Sequence, residues 1–341
     1  MKKLFIISNE SIYIKNDEYY CDNIDLKSTP EGLNNNFEVN LIARNSSKAR
    51  NHRINLEKVK IFKSFVSFLF GIFSSLKEKK SKYLIISISP YTFFACLLLT
   101  IFKKKPIVYL RSNGFDEYRI IYGLFGYIIY SLMFFITSKI SILVSCRKYI
   151  LKGKKGYLIH PSQLNNEWKQ NHSVPTKEKA KLLYVGRLRK EKGIFSLIEI
   201  IKDKKDINLT VVGEEENSIS DINYGNVEIL KIVRDQRKLI KCYDSHNIFI
   251  LPSFTEGQPM ALLEALSRLR PVVVFKEIEH VKQDREGIFV SDRNYNYLIK
   301  NINYILQNFN SIQENMKKNH LPTREQFIQN FKDVINNEVS V

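Results

Sequence analysis

The stretch that most constrains this chain is Phe249 to Arg270, FILPSFTEGQPMALLEALSRLR. Phe249–Leu251 reads as a buried strand, Pro252–Gln258 as a loop, and the residues from Pro259 as a helix. Proline suits the first helical position because the N–H it lacks has no intrahelical partner there. Leu262, Leu263, Leu266 and Leu269 read as core. Two carboxylates frame the turn, Glu256 in the loop and Glu264 in the helix. At about 1.5 Å of rise per residue, Glu264 lies roughly 7.5 Å along the axis from Pro259, so a ligand over the helix start reaches both. Its anionic part would meet unpaired backbone N–H groups and the positive end of the helix dipole. Acid at two heights with an anion site between them suits a nucleotide sugar. Read alone, the same acids also suit an ordinary helix start.

A second constellation lies upstream. The strand Lys181–Val185 is followed by GRLRKEKG, Gly186 to Gly193. Gly186 permits a tight turn. Arg187 and Lys192, five apart, put a forked donor set and a mobile point charge at the mouth of the next helix. Arg189 and Lys190 in the same run read as a solvated basic loop.

The surrounding pattern is α/β. Apolar strands at Leu4–Ile7, Val39–Ala43, Leu84–Ser89, Ile107–Arg111 and Ser141–Ser145 alternate with helical segments at Ile61–Leu76, Tyr91–Phe102 and Ile120–Thr137. The alternation restarts after Lys181, with strands at Leu209–Val212, Val227–Leu230, Val272–Phe275 and Gly287–Val290. Helices follow at Gly193–Ile201, Gln236–Cys242, Tyr295–Asn308 and Arg324–Asn336. This predicts two parallel sheets with helices on both faces. The polar stretch around Gln163–Lys179 is the natural linker. With 341 residues, each half is large enough for its own core.

Net charge is +18, and it is uneven. Residues 1–175 carry 27 Lys and Arg against 12 Asp and Glu, whereas residues 176–341 carry 26 against 23. The basic half is also the one with three apolar helices, which points to an anionic membrane surface. Ile120–Thr137 reaches the lower length limit of a membrane span, but Gly123 and Gly126 interrupt it. A helix packed on a sheet or lying in the interface fits better. MKKLFIISNE is too short in apolar residues for a signal peptide and reads as a first strand. Four dispersed cysteines fit reduced thiols, and six scattered histidines give no metal-ligand spacing. No aromatic–basic platform or groove-reading helix suggests nucleic acid.

The two motifs together resemble the retaining glycosyltransferases of family 4. Pro252, Ser253, Glu256, Gly257, Pro259, Glu264 and Ala265 stand at the places of the motif PS-x-x-E-G-x-P-x-x-x-x-E-A. Gly186, Arg187, Lys192 and Gly193 match the upstream one, and Tyr243 matches the helix before the central strand. The resemblance implies a GT-B fold, two Rossmann-like parallel-sheet domains facing a cleft. It implies residues 1–165 as an acceptor-binding, membrane-docking domain, 166–179 as linker and 180–322 as the nucleotide-sugar donor domain. A last helix, about 323–341, would pack back on the first domain. Arg187 and Lys192 would bind and stabilise the leaving diphosphate, with Gly186 turning the loop. Glu256 would lie at the sugar and, with Arg187 and Lys192, serve catalysis. Gly257, Gln258, Pro259 and Met260 would touch sugar and phosphate, Glu264 the ribose hydroxyls, and Ile232 and Val233 the base.

The function implied is transfer of a sugar from a UDP- or GDP-linked donor to a lipid-linked or growing glycan, without metal or other cofactor. It would build bacterial surface polysaccharide, peripherally on the cytoplasmic face of the membrane. The alternatives on this scaffold are a sugar-nucleotide epimerase and an inactive membrane-associated scaffold. Two departures leave the first half less defined. Ser8-Asn9-Glu10-Ser11 stands where the family has a Gly-rich loop, and Lys231 stands where glycine is usual. Arg111, closing a predicted strand, is the candidate there for an acceptor or phosphate contact.

Overall fold

The structure, a computed structural model, describes residues 1–78, 80–213 and 225–337. Lys79 of the basic run Lys77–Lys82, and the end of the last expected helix, lie outside them. The chain forms two units, one of Met1–Pro161 with the segment from Glu325 on, the other of Ser162–Arg324.

In the first unit β1 (Lys3–Lys15) is far longer than the expected Leu4–Ile7. Ser8–Ser11 contains no glycine to turn the chain. Instead the register against the neighbouring strand shifts between Ile7 and Ser11, a bulge, and the strand continues. It then folds into an antiparallel hairpin with β2 (Glu18–Cys21). Asn16 and Asp17 make the two-residue turn at φ +51° and +59°, a conformation both residue types tolerate. After α1 (Ile24–Asn34), β3 (Glu38–Asn45) pairs parallel with β1, β4 (His52–Ile54) with β2, and β5 (Val59–Phe62) parallel with β3.

The expected helix Ile61–Leu76 is thus two elements, because Ile61 and Phe62 belong to β5. Helix α2 (Phe65–Ser75) starts only after Ser64, which shares a reciprocal capping box with Ser67. Next come β6 (Lys82–Ile86), α3 (Pro90–Ile101), β7 (Ile107–Leu110), α4 (Gly114–Ile140), β8 (Ile142–Ser145) and β9 (Tyr157–Leu158). The parallel strands run β5-β3-β1-β6-β7-β8-β9.

Helix α4 extends beyond the expected Ile120–Thr137, and Gly123 breaks it with φ +66°. By length and composition it could cross a membrane. Its Tyr130, Met133, Phe134 and Thr137, at helical spacing, face the core of the unit.

The second unit opens with α5 (Asn166–Lys169), so residues 166–179, expected as a linker, lie within it. Trp168 of α5 is buried edge-on against Tyr243. The elements that follow are β10 (Ala180–Val185), α6 (Ile194–Ile201), β11 (Ile207–Val212), β12 (Val227–Leu230), α7 (Gln236–Asp244) and β13 (Ile248–Leu251). Then come α8 (Met260–Ser267), β14 (Val272–Phe275), β15 (Ile288–Ser291), α9 (Tyr295–Gln307) and α10 (Phe309–Met316). The sheet is wholly parallel, in the order β12-β11-β10-β13-β14-β15. Strands β13 and β14 are buried at every position, as a sheet covered on both faces requires.

One buried charge ties this unit together. Arg268, 0% exposed, spends all five N–H donors on Asp244 (2.9 and 2.7 Å) and on the carbonyls of Trp168, Gln170 and Asn171. It fastens the end of α8 to the segment after α5. Helix α11 (Arg324–Asn337) returns to the first unit, where Phe327 and Phe331 pack on Tyr109.

Candidate functional site

In a doubly wound sheet, ligands sit at the carboxyl ends of the strands where the winding reverses. In the second unit the chain winds from β10 to β11 and β12 on one side, and from β13 to β14 and β15 on the other. The reversal lies between β10 and β13. The loops leaving those two strands are GRLRKEKG and PSFTEGQ, so both sequence motifs meet at the switch point.

They are joined there by close backbone approach. Phe254 N–H donates to the Glu191 carbonyl at 2.9 Å. Gly193 sits at φ +65°, and a Cβ there would come within 1.9 Å of the Pro252 carbonyl oxygen. Glycine at this place thus serves both conformation and contact. Gly186, after β10, gives its N–H to Val212 O (3.0 Å). The Tyr184 hydroxyl donates to the Arg187 carbonyl at 2.8 Å, which leaves the Arg187 side chain exposed.

Helix α8 begins at Met260, one residue later than expected. Pro259 has an extended ψ of 121° and occupies the cap position instead. Among the described residues no side chain caps α8 or α6, so their first N–H groups face the switch point without a side-chain cap. Together with Arg187 and Lys192 they put N–H donors and positive charge on one edge, the donor chemistry that suits an anion.

The structure brings Lys192 and Glu256 into a salt bridge of 2.8 Å, with only 20% and 10% of the side chains exposed. Ser253 Oγ donates to the same carboxylate oxygen at 2.6 Å, and His280 Nε2 donates to the Glu256 carbonyl at 2.9 Å. Glu264 lies on α8, where the Tyr243 hydroxyl donates to its Oε2 at 2.8 Å. Burial raises the Glu264 pKa to about 7, against the opposing pull of that hydrogen bond. A carboxyl so deprived of water accepts additional hydroxyl donors readily. Gly257, Gln258 and Pro259 are buried in the loop and Met260 is half-buried. Ile232 and Val233 lie half-buried in the loop after β12, at the same carboxyl edge two strands from β10.

In the first unit Arg111 follows β7 and donates to Glu10 Oε1 at 3.0 Å.

Sequence reasoning missed Arg293. Its guanidinium lies between the rings of Phe254 and Phe275, 4.1 and 4.3 Å from their centroids. It donates to Pro252 O (2.9 Å) and Glu277 (2.8 Å), clamping the PSFTEGQ loop from behind. Forty residues separate it from that loop, and no short motif marks it. The pairing of Tyr243 with Glu264 was likewise visible only in three dimensions.

Anabaena Alr3699/HepE, solved in complex with UDP and glucose, superposes on this chain with a TM-score of 0.71 at 12% identity, covering 100% of both chains. The fold is GT-B. A family model described as glycosyl transferases group 1 matches residues 165–321, and these include both loops of the GT-B switch point. Among curated proteins, the capsular polysaccharide biosynthesis glycosyltransferase CapM of Staphylococcus aureus is 30% identical over 146 residues. The match spans 38% of this chain and 38% of CapM, about two fifths of that relative's length. The amylovoran biosynthesis glycosyltransferase AmsD of Erwinia amylovora is 25% identical over 260 residues, 71% of this chain and 73% of its own.

Proposed function

We propose that this chain is a retaining glycosyltransferase. It moves a sugar from a nucleotide-sugar donor to a lipid-linked or growing glycan in bacterial surface-polysaccharide synthesis. The observation that carries the reading is the Lys192–Glu256 pair beneath two uncapped helix starts at the switch point. A donor lying there sets its diphosphate against Arg187, Lys192 and the helix N-termini, its sugar beside Glu256 and the 257–260 backbone, its ribose on Glu264, and its base by Ile232 and Val233. When the anomeric C–O bond breaks, negative charge gathers on the diphosphate, where the cations and backbone dipoles already point. This needs no metal, so transfer proceeds in the presence of a chelator. The relatives named for capsule and amylovoran synthesis support the product class. HepE, solved with UDP, supports a UDP-linked donor, with a GDP-linked one the other option.

Binding of UDP and GDP, followed by calorimetry, tests the donor site. One of them should bind, and its affinity should rise by about tenfold from pH 6 to pH 8, because the Glu264 carboxylate is mostly protonated at the lower pH and mostly ionised at the higher. The same titration in Glu264→Gln separates this carboxylate from titration of the nucleotide phosphate. Absence of binding by every nucleoside diphosphate would overturn the reading.

The first unit docks on the cytoplasmic membrane face through α2, α3 and α4. Val66, Phe70, Ile101, Leu124 and Phe125 are each at least 70% exposed. Lys63, Lys77, Lys103–Lys105, Arg119 and Lys139 accompany them on these helices or at their ends. Apolar side chains with lysines suit an anionic interface. The protein should float with phosphatidylglycerol vesicles at low salt, and Leu124→Ser with Phe125→Ser should weaken this. Failure to float, or equal flotation of the variant, would refute docking by this face.

A further inference from the structure

We infer that the carboxyl edge of the first unit binds a phosphate or diphosphate ester between Arg44 and Arg111. This rests on the transfer reading in one respect only, that such an ester is the anionic part of the acceptor.

The winding of the first sheet reverses between β1 and β6. From β1 the chain proceeds to β3 and β5 on one side, then crosses to β6, β7 and β8 on the other. This edge is therefore the counterpart of the donor switch point. The bulge in β1 falls at the same place and carries Asn9 and Glu10 out of register. Bulges gather beside sites because they re-aim side chains. On the far side, Ser87 turns the chain from β6 into α3 at φ +63°, unusual for serine.

Two arginines close on this turn. Arg111 donates Nε to Ser87 Oγ at 3.4 Å and Nη2 to Glu10 Oε1, while its buried Nη1 has no hydrogen-bond partner. Arg44, at the end of β3, stacks over the ring of Tyr91 at 4.7 Å and reaches Asn9 Oδ1 at 3.4 Å. Tyr91 is in the first turn of α3, so this guanidinium sits at a helix N-terminus. Arg147 follows β8 at the same edge and is 4% exposed. Among the described residues, the acids acting on Arg111 are Glu10, which also accepts from Asn23, and Asp25. Three guanidiniums against two carboxylates leave an excess of positive charge, and a guanidinium fork matches phosphate oxygens. A purely structural role for Arg111 would need no second arginine stacked across the bulge.

The probe is farnesyl diphosphate, bound to the full chain in an Arg187→Ala, Lys192→Ala background, so that the donor site contributes little. It should bind, and Arg111→Gln should weaken it at least tenfold. Arg44→Gln should also weaken it at least tenfold. Arg44 contacts the Tyr91 ring and Asn9 Oδ1 and not a carboxylate, so that second variant answers even if Arg111→Gln misfolds. Farnesol should not compete. Inorganic pyrophosphate binding as tightly as farnesyl diphosphate would identify the free anion as ligand, and tighter farnesyl diphosphate the lipid ester. Absence of binding by both, or indifference to both arginine variants, would overturn the site. Binding with this dependence but no sugar transfer would leave the anion site standing while the transfer reading fell.

Discussion

Replacing Lys192 by alanine should lower kcat for sugar transfer by about 10²- to 10³-fold, the usual cost of removing a preorganised group that faces developing charge. Lys192 stands at the switch point with its ammonium 2.8 Å from Glu256, on a loop fixed by the left-handed Gly193 and by the Phe254–Glu191 hydrogen bond. On the proposed reading, charge building on a diphosphate would be met without rearrangement of the backbone. Deletion of the lysine would remove that stabilisation, while the Ser253 hydroxyl would still donate to Glu256. Lys192→Arg should recover part of the rate, since it keeps the charge but changes its reach. Steady-state release of nucleoside diphosphate is the measurement. A loss of under threefold in Lys192→Ala would remove this residue from the reaction.

Arg268→Ala should cost about 3–5 kcal/mol of stability in the second unit, the range seen when one partner of a buried ion pair is removed. Asp244 would lose its bidentate partner, and the carbonyls of Trp168, Gln170 and Asn171 would lose donors that solvent cannot easily replace. Arg270 donates to Asp244 Oδ1 at 3.3 Å and also serves Tyr243 O and Ser173 O, but it does not reach the Oδ2 that Arg268 Nη2 holds. Trp168 is the one tryptophan of the chain, and it lies inside this network. Urea unfolding followed by its fluorescence thus reports this unit alone. A midpoint equal to wild type would show the network to be dispensable.

The strand–loop–helix units were legible wherever apolar runs of four to six residues met glycine or proline. Both loops of the candidate site follow such strands, and their meeting at a switch point follows from the sheet order. Helix starts were less legible. Residues 61–76 are apolar throughout, so hydropathy could not separate the end of β5 from α2, and the division is made by Ser64. The course of β1 was hidden because bulges carry no composition signal. The roles of Arg293, Arg268 and Tyr243 depend on partners 16 to 100 residues away, a distance over which sequence spacing carries no geometry.

The first unit is discontinuous in sequence, and this sets an order of assembly. Its core includes Phe327, Phe331 and Ile335, which lie beyond the whole of the second unit. At about 5–20 residues per second, the ribosome needs on the order of ten seconds or more to pass from Pro161 to those aromatics. Meanwhile the second unit emerges as one continuous stretch, with every strand of its sheet available. The second unit can therefore be complete on the nascent chain while Tyr109 still lacks its packing partners.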